Sequence, residues 1–282
     1  MFYHEYPPPA TLKPCIQCFW ILEHDYREPF HAHEHLWADT QTELIFSFGE
    51  RYYRRSDGQR GRKTKLPENF ILGPMTKELL LYSEGFTGFI AARFHPWGFS
   101  AFSTQNATAL VNAILPAAKA LKSGIGQLEQ QLRRNPPREK KLQLLIDHFI
   151  HNQPATNPDR NILEAIGTEL RTGHGKQKIS DLAEQFDINP RKLERHFLQH
   201  IGLSPKLFAR ILRFNHAKDL IQKDPGIPLA ALAYETGYAD QAHFSKNFRQ
   251  LFNYTPAQFK AMINKFKAET SGLDKDVVFL QD

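Results

Sequence analysis

Residues 179–259 constrain this chain most, because one helical plan is written there twice. The first copy is I-S-D-L-A-E-Q-F-D-I-N-P-R-K-L-E-R-H-F, residues 179–197. Ser180 is an N-cap residue with Asp181 behind it, which marks a helix start. Leu182, Ala183 and Phe186 then share one helical face. Asp187-Ile188-Asn189 has room only for a tight turn, and Pro190 suits the first turn of a second helix capped by Asn189. On that helix Leu193, Phe197 and Ile201 recur every four residues and face inward, which leaves Arg191, Lys192, Glu194 and Arg195 outside the stripe. The second copy is P-L-A-A-L-A-Y-E-T-G-Y-A-D-Q-A-H-F-S-K-N-F-R-Q-L-F, residues 228–252. Gly237 takes its turn, where a positive φ is cheap, and Asp240 caps the next helix. Phe244, Phe248 and Leu251 face inward, while Gln241, Ala242, Ser245, Lys246 and Arg249 point outward or to the flanks.

Between the copies, Pro205 to Lys223 reads as a connecting helix with Leu207, Ile211, Phe214, Leu220 and Ile221 on its buried side. Nineteen residues span roughly 28 Å, close to the ~34 Å between successive major-groove faces of B-DNA. Charge follows the same division. From Lys176 to Lys267 there are 15 Lys and Arg against 8 Asp and Glu, whereas the rest of the chain is nearly balanced. A local cationic excess on paired helical units is what phosphate neutralisation uses.

With G-L-S-P-K-L-F-A-R-I-L-R-F after the first copy, and G-Y-A-D-Q-A-H-F-S-K-N-F-R then Y-T-P-A-Q-F in the second, the chain resembles the AraC/XylS family of transcription regulators. The resemblance covers about residues 175–260. It implies two readers of double-stranded DNA: Arg191, Lys192, Glu194 and Arg195 in the first, and Gln241, Ala242, Ser245 and Lys246 in the second. Arg reaches guanine O6 and N7, Gln suits adenine, and Ala meets a thymine methyl. Ser180, Ser204 and Thr255, at helix starts, are candidates to let backbone N–H groups hold phosphates.

The amino-terminal part has a different period. P-C-I-Q-C-F-W-I-L-E (14–23), E-L-I-F-S-F (43–48), N-F-I-L-G-P (69–74), E-L-L-L-Y (78–82) and G-F-I-A-A-R-F (88–94) read as short strands between turn signals, which argues for a β-sandwich or barrel. With A-D-T-Q-T-E-L-I-F and A-A-R-F-H-P-W-G-F, this region is similar to the cupin-like sensors of AraC-type regulators. Relatives more often have a Pro-Asp-Gly-like turn where this chain has Ala38-Asp39-Thr40. Trp37, Trp97 and Phe99 are candidates to line an apolar pocket. His31, His33 and His35 alternate, so in a strand they share one face, and imidazole suits a divalent metal. Glu43, Asp39 or His95 would complete such a site. Cys15 and Cys18 lack the second pair that a zinc site of cysteines needs. Arg51 to Lys65 is a basic segment, read as a hairpin tip.

From Thr104 to Arg134 the period turns helical. Asn135-Pro136-Pro137 breaks it, and Arg138 to His151 is an amphipathic helix presenting Leu142, Leu145, Ile146, Phe149 and Ile150. A further helix runs from Arg160 to Arg171, and Gly173-His174-Gly175 reads as a flexible joint. The expected architecture is α+β and multidomain. A cupin-like β domain covers 1–104, a helical linker and dimerisation region 105–174, a double helix-turn-helix domain 175–267, and a tail 268–282.

The expected partners are promoter DNA, an unidentified small-molecule effector, RNA polymerase and a second copy of the chain. Two cysteines imply no disulfide framework, and no apolar run approaches the ~20 residues of a bilayer span, so a cytoplasmic protein without membrane contact is expected. No nucleophile-base set appears, and an enzyme is not expected. The alternatives are a metal-binding cupin using His31, His33 and His35, and a constitutive regulator whose amino-terminal domain is only a dimer platform.

Overall fold

The computed structural model describes residues 2–25, 33–55, 63–83, 85–121, 125–154 and 157–269, with the side chains of 33–35, 55 and 265–269 left aside. Strands β1 (Phe2–Tyr6), β2 (Ile16–Asp25), β3 (His33–Leu36), β4 (Thr42–Ser47), β5 (Tyr53–Arg55), β6 (Lys63–Lys65), β7 (Asn69–Leu72), β8 (Leu79–Tyr82) and β9 (Phe86–Phe94) come first. Helix α1 (Ala107–Leu110), strand β10 (Ile114–Pro116), and helices α2 (Ala117–Ala120), α3 (Ile125–Arg133), α4 (Arg138–His151) and α5 (Pro158–Thr172) follow. The carboxy-terminal part holds α6 (Ile179–Gln185), α7 (Pro190–His200), α8 (Pro205–Lys223), α9 (Leu229–Glu235), α10 (Gln241–Phe252) and α11 (Pro256–Glu269).

The strands form two antiparallel sheets, ordered β1-β2-β9-β4-β7-β10 and β3-β8-β5-β6. Among the described residues this is a sandwich and not a closed barrel. Alternation along the large sheet decides what each face buries. Cys18, Trp20 and Leu22 of β2, Ile45 of β4 and Phe89 and Ala91 of β9 face the small sheet, joined there by Tyr52 and Leu81. Phe19, Ile21, Leu44, Phe46, Ile90 and Phe94 face the other way and are covered by Leu128, Leu132, Leu145 and Phe149 of α3 and α4. The amphipathic face of α4 is therefore consumed within its own domain, except Ile150, which is exposed. Ile114 is not helical as its spacing suggested. It pairs with Leu72 across β10 and β7, because the unsatisfied edge of the large sheet takes the segment up.

Two charged groups, Arg93 and Glu43, sit inside the sandwich among the described residues. Arg93, 2% exposed, donates from Nε to Glu43 at 2.7 Å and from Nη1 to Glu5 at 2.9 Å, and Trp20 Nε1 donates to Glu43 at 3.1 Å. A buried cation needs such pairing.

The third core does not respect the boundary read from the sequence. It joins α6–α11 to Leu163, Ile166 and Leu170 of α5, and also to Trp37, Ala38 and Trp97 of the β domain. Trp37 packs edge-on against Phe252 and Phe259, with centroids 5.5 and 5.1 Å away, and against Tyr254 at 6.2 Å. Trp97 stacks on His95. Phe99 meets Phe94 in the helix-covered core. The three aromatics expected to line one apolar pocket are thus divided between two cores. Gly173-His174-Gly175 is likewise no loose joint. The Gly175 amide bonds to the Leu170 carbonyl at 2.7 Å, and the His174 ring stacks on His216 at 3.9 Å.

Candidate nucleic-acid interface

The two repeated units fold as their sequences imply. In the first, α6 begins two residues earlier than Ser180 suggests: Lys178 is the N-cap, and the Ser180 hydroxyl lies in the first turn bonded to Asp181. Asn189 caps α7 by accepting from the Arg191 amide at 2.9 Å, with Pro190 at the first helical position. Leu193 and Phe197 are fully buried, and Arg191, Lys192, Glu194 and Arg195 are all exposed on the opposite side. In the second unit Gly237 turns the chain at φ +77°, and Asp240 accepts from the His243 amide at 2.7 Å to start α10. Phe244 and Phe248 are fully buried. Gln241, Ala242, Lys246 and Arg249 are exposed and Ser245 is half-buried. Both expected reading faces are therefore solvent-facing sides of anchored helices.

Helix α8 joins the units over 19 residues and is a single continuous helix. Ser204 caps it, accepting from the Leu207 amide at 3.3 Å. Thr255 begins α11 with a reciprocal capping box: its hydroxyl accepts from the Gln258 amide at 3.2 Å, and the Gln258 side chain accepts from the Thr255 amide at 2.8 Å.

Three grooves lie along this surface. One runs between the starts of α6 and α8 and is lined by Ser180, Ser204, Lys176, Lys178, Lys206, Arg210 and Arg213. A second is formed by Ser245, Lys246, Arg249, Gln250 and Thr255, so Thr255 adjoins the second reading helix. The third places Arg191, Glu194, Arg195 and Leu198 of α7 beside Asn106 and Thr108 of the β domain. The five cations of the first groove escaped the sequence reading. Their signal is present in retrospect: Lys206, Arg210 and Arg213 recur at i, i+4 and i+7 on α8, one helical face. Arg213 also lies 5.1 Å over the Tyr238 ring, which ties this groove to the second unit.

The first helix-turn-helix unit is packed against the β domain and α5. Gly202, at φ +86° just past α7, leaves space for the Ala107 carbonyl; a Cβ there would fall 2.3 Å from that oxygen. Ser100 Oγ lies 3.3 Å from His200 Nδ1, and Asp159 of α5 lies 3.7 Å from the buried His196. Burial, followed by the nearby His196, holds the His200 imidazole below its ordinary value.

The expected metal cluster is only partly in view. His31 lies outside the described residues. His33 and His35 lie in β3, two residues apart on a strand paired with β8, as alternation requires. Each of the three alternatives for a further ligand has a partner of its own. Glu43 is bonded to Arg93 and Trp20, His95 accepts from Arg171 at 3.1 Å, and Asp39 pairs through its backbone with Met75. Of the basic segment, Lys63 lies 4.3 Å over the Tyr53 ring on the β5–β6 hairpin; Arg60 and Arg62 lie outside the described residues. No helix among the described residues is long and apolar enough to cross a membrane.

Comparison with known proteins places these features. Residues 182–262 match a family described as a helix-turn-helix domain. Residues 4–116 match a domain family of unknown function. The transcriptional regulator GlxA of Rhizobium meliloti is 32% identical over 114 residues, which is 40% of this chain and 33% of that protein. The transcriptional activator RhaS of Salmonella arizonae is 35% identical over 79 residues, 28% of each chain. The chain thus matches about a third or less of the length of these relatives. Among solved structures, ToxT of Vibrio cholerae, bound to a methylnaphthalenyl butenoic acid, superposes with a TM-score of 0.47 at 12% identity, covering 86% of this chain and 99% of that one.

Proposed function

We propose that the protein is a sequence-specific DNA-binding regulator of transcription of the AraC/XylS type, whose β domain receives a small-molecule signal; the match of residues 182–262 to a helix-turn-helix family supports this reading. The observation that carries this reading is the pair of exposed, capped helices, α7 and α10, held at the two ends of one continuous α8. Arg191, Glu194 and Arg195 would read bases from the first, with Lys192 nearer phosphate. Gln241, Ala242, Ser245 and Lys246 would read from the second. A helix about 28 Å long sets the readers on one side of the duplex, near the spacing of successive major grooves.

The groove of Lys176, Lys178, Lys206, Arg210 and Arg213 would hold phosphates between the readers, together with the amides at the start of α8 beside Ser204. Phosphate contacts position the protein, and base contacts specify the site. The contacts between α7 and the β domain support ligand control, since anything that changes the β domain meets the first reader directly. A ligand shifts such a protein only by binding its states unequally. The reading extends to a homodimer and to contact with RNA polymerase, which sedimentation and reconstituted transcription would test.

The experiment is selection of bound DNA from a random pool with the full chain at fixed salt. Two short sequence blocks about one helical turn apart support both readers. Enrichment of no sequence, with binding that collapses as salt rises, would leave only charge-driven association and refute the proposal. On the selected site, Arg195→Ala should cost about 1–3 kcal/mol and relax choice at one base position. An equal loss on all sequences would make Arg195 a phosphate contact instead.

A further inference from the structure

A cavity of about 240 Å³ lies where three parts of the chain meet. The β domain supplies Gln17, Asp39 and Gln41, the end of α5 supplies Arg171, and α8 supplies Asn215 and Lys218. Charged and amide side chains make up most of its lining residues, Leu212 being the apolar one, and its volume lies below the ~300–1,000 Å³ of pockets that enclose drug-sized ligands. A small molecule carrying charged groups suits it.

Its charges are arranged unusually. Arg171 donates from Nη1 to His95 Nδ1 at 3.1 Å and from Nη2 to Gln17 Oε1 at 3.4 Å. Gln17 is an amide. Burial, then the nearby Arg171 charge, holds His95 at about 4, so it is a neutral acceptor at neutral pH. The hydrogen-bond partners of this guanidinium are thus uncharged. Asp39 is near enough for its charge to favour the Arg171 cation, against burial that disfavours it. Yet among the described residues neither Arg171 nor Asp39 enters an ion pair. Asp39 is held in place instead. Its backbone pairs with Met75 at 2.8 and 2.9 Å, and its Oδ1 accepts from the Thr40 amide at 2.6 Å. A cation and a carboxylate therefore face one cavity with a gap between them. The other charged pair on the wall, Lys218 and Asp219, stands 3.8 Å apart and is balanced. A ligand with net charge would leave one of these groups worse matched than before, whereas a molecule with both charges fills the gap and keeps the balance.

We infer that this cavity binds a small zwitterion of the α-amino-acid type, with its carboxylate on Arg171, its ammonium on Asp39, and its side chain toward the amides of Gln41 and Asn215. This deepens the reading of the chain as a ligand-controlled regulator and rests on it for its purpose. A ligand so bound ties the β domain to α5 and to the helix that spaces the readers. It strengthens the docked arrangement and changes operator affinity through that difference.

The test is calorimetric titration of the full chain with each of the twenty L-amino acids. At least one should bind saturably, one per chain. Its decarboxylated amine and its α-hydroxy acid should each bind about tenfold or more weaker, as loss of a hydrogen bond to a charged group requires. Arg171→Gln and Asp39→Asn should each weaken binding about as much, and Lys140→Ala, exposed on α4, should not. If Arg171→Gln fails to fold, Arg171→Lys and Asp39→Asn carry the comparison. Binding of no amino acid, or undiminished binding by both variants, overturns the inference. DNA selection without any amino acid tests the regulator reading separately, so the two can fail independently.

Discussion

Replacing Trp37 with Ala tests whether the β domain completes the core of the second reader. Trp37 stands just past β3, far in sequence from α10 and α11, yet it is 1% exposed and meets Phe252, Tyr254 and Phe259 edge-on. Truncating a fully buried Trp removes its transfer free energy and leaves a cavity, about 3–5 kcal/mol. Each aromatic pair adds about 0.5–1.5 kcal/mol beyond area; this lies within the truncation figure and is not added to it. Against a typical domain stability of about 5–15 kcal/mol, the loss is large. Trp37→Phe keeps ring contacts and should cost less. The assay is native-state hydrogen exchange of the full chain, read separately for α10, α11 and the large sheet. Protection of α10 and α11 should fall by the full amount in Trp37→Ala and by less in Trp37→Phe. If protection falls only in the β domain, Trp37 supports its own domain and the shared core is not an energetic unit.

Asp240→Ala removes the cap of α10, so urea unfolding should register about 1 kcal/mol of lost stability, and affinity for the selected site should fall as the second reader frays. His95 has a folded value of about 4, below its ordinary 6.5, because of burial and Arg171. Between these values the unfolded chain binds more protons, so the contribution of His95 is complete above about pH 6.5 and is lost as the pH falls toward 4. His95→Gln should therefore show a smaller drop in Tm between pH 7 and pH 4.5 than the unaltered chain. Arg210→Ala should weaken binding to all sequences about equally and flatten the slope of log affinity against log salt by about 1; a sequence-selective loss would make it a base contact.

Periodicity, caps and turns made the carboxy-terminal half legible. Helices α4 and α8 lie where their apolar stripes predict, and Asn189, Gly237 and Asp240 serve the turns and caps their residue types suit. These are local matters, decided within a few residues, and so a one-dimensional pattern records them. The outward faces of α7 and α10 follow from the same stripes, because a residue off the apolar face of an anchored helix has only solvent to meet. The placement of Trp37, Trp97 and Ile114 was decided by neighbours far away in the chain. An aromatic residue is attractive to any core within reach, and nothing in its own segment says which. Likewise, Arg171 and Asp39 come to one cavity only because α5 packs with the helix-turn-helix units while Asp39, between β3 and β4, is bridged to Met75. By itself the sequence determined two helix-turn-helix units on a stiff helix and a β domain before them. Only the tertiary structure decided that the two share a core, since burial is settled by what the folded chain brings together.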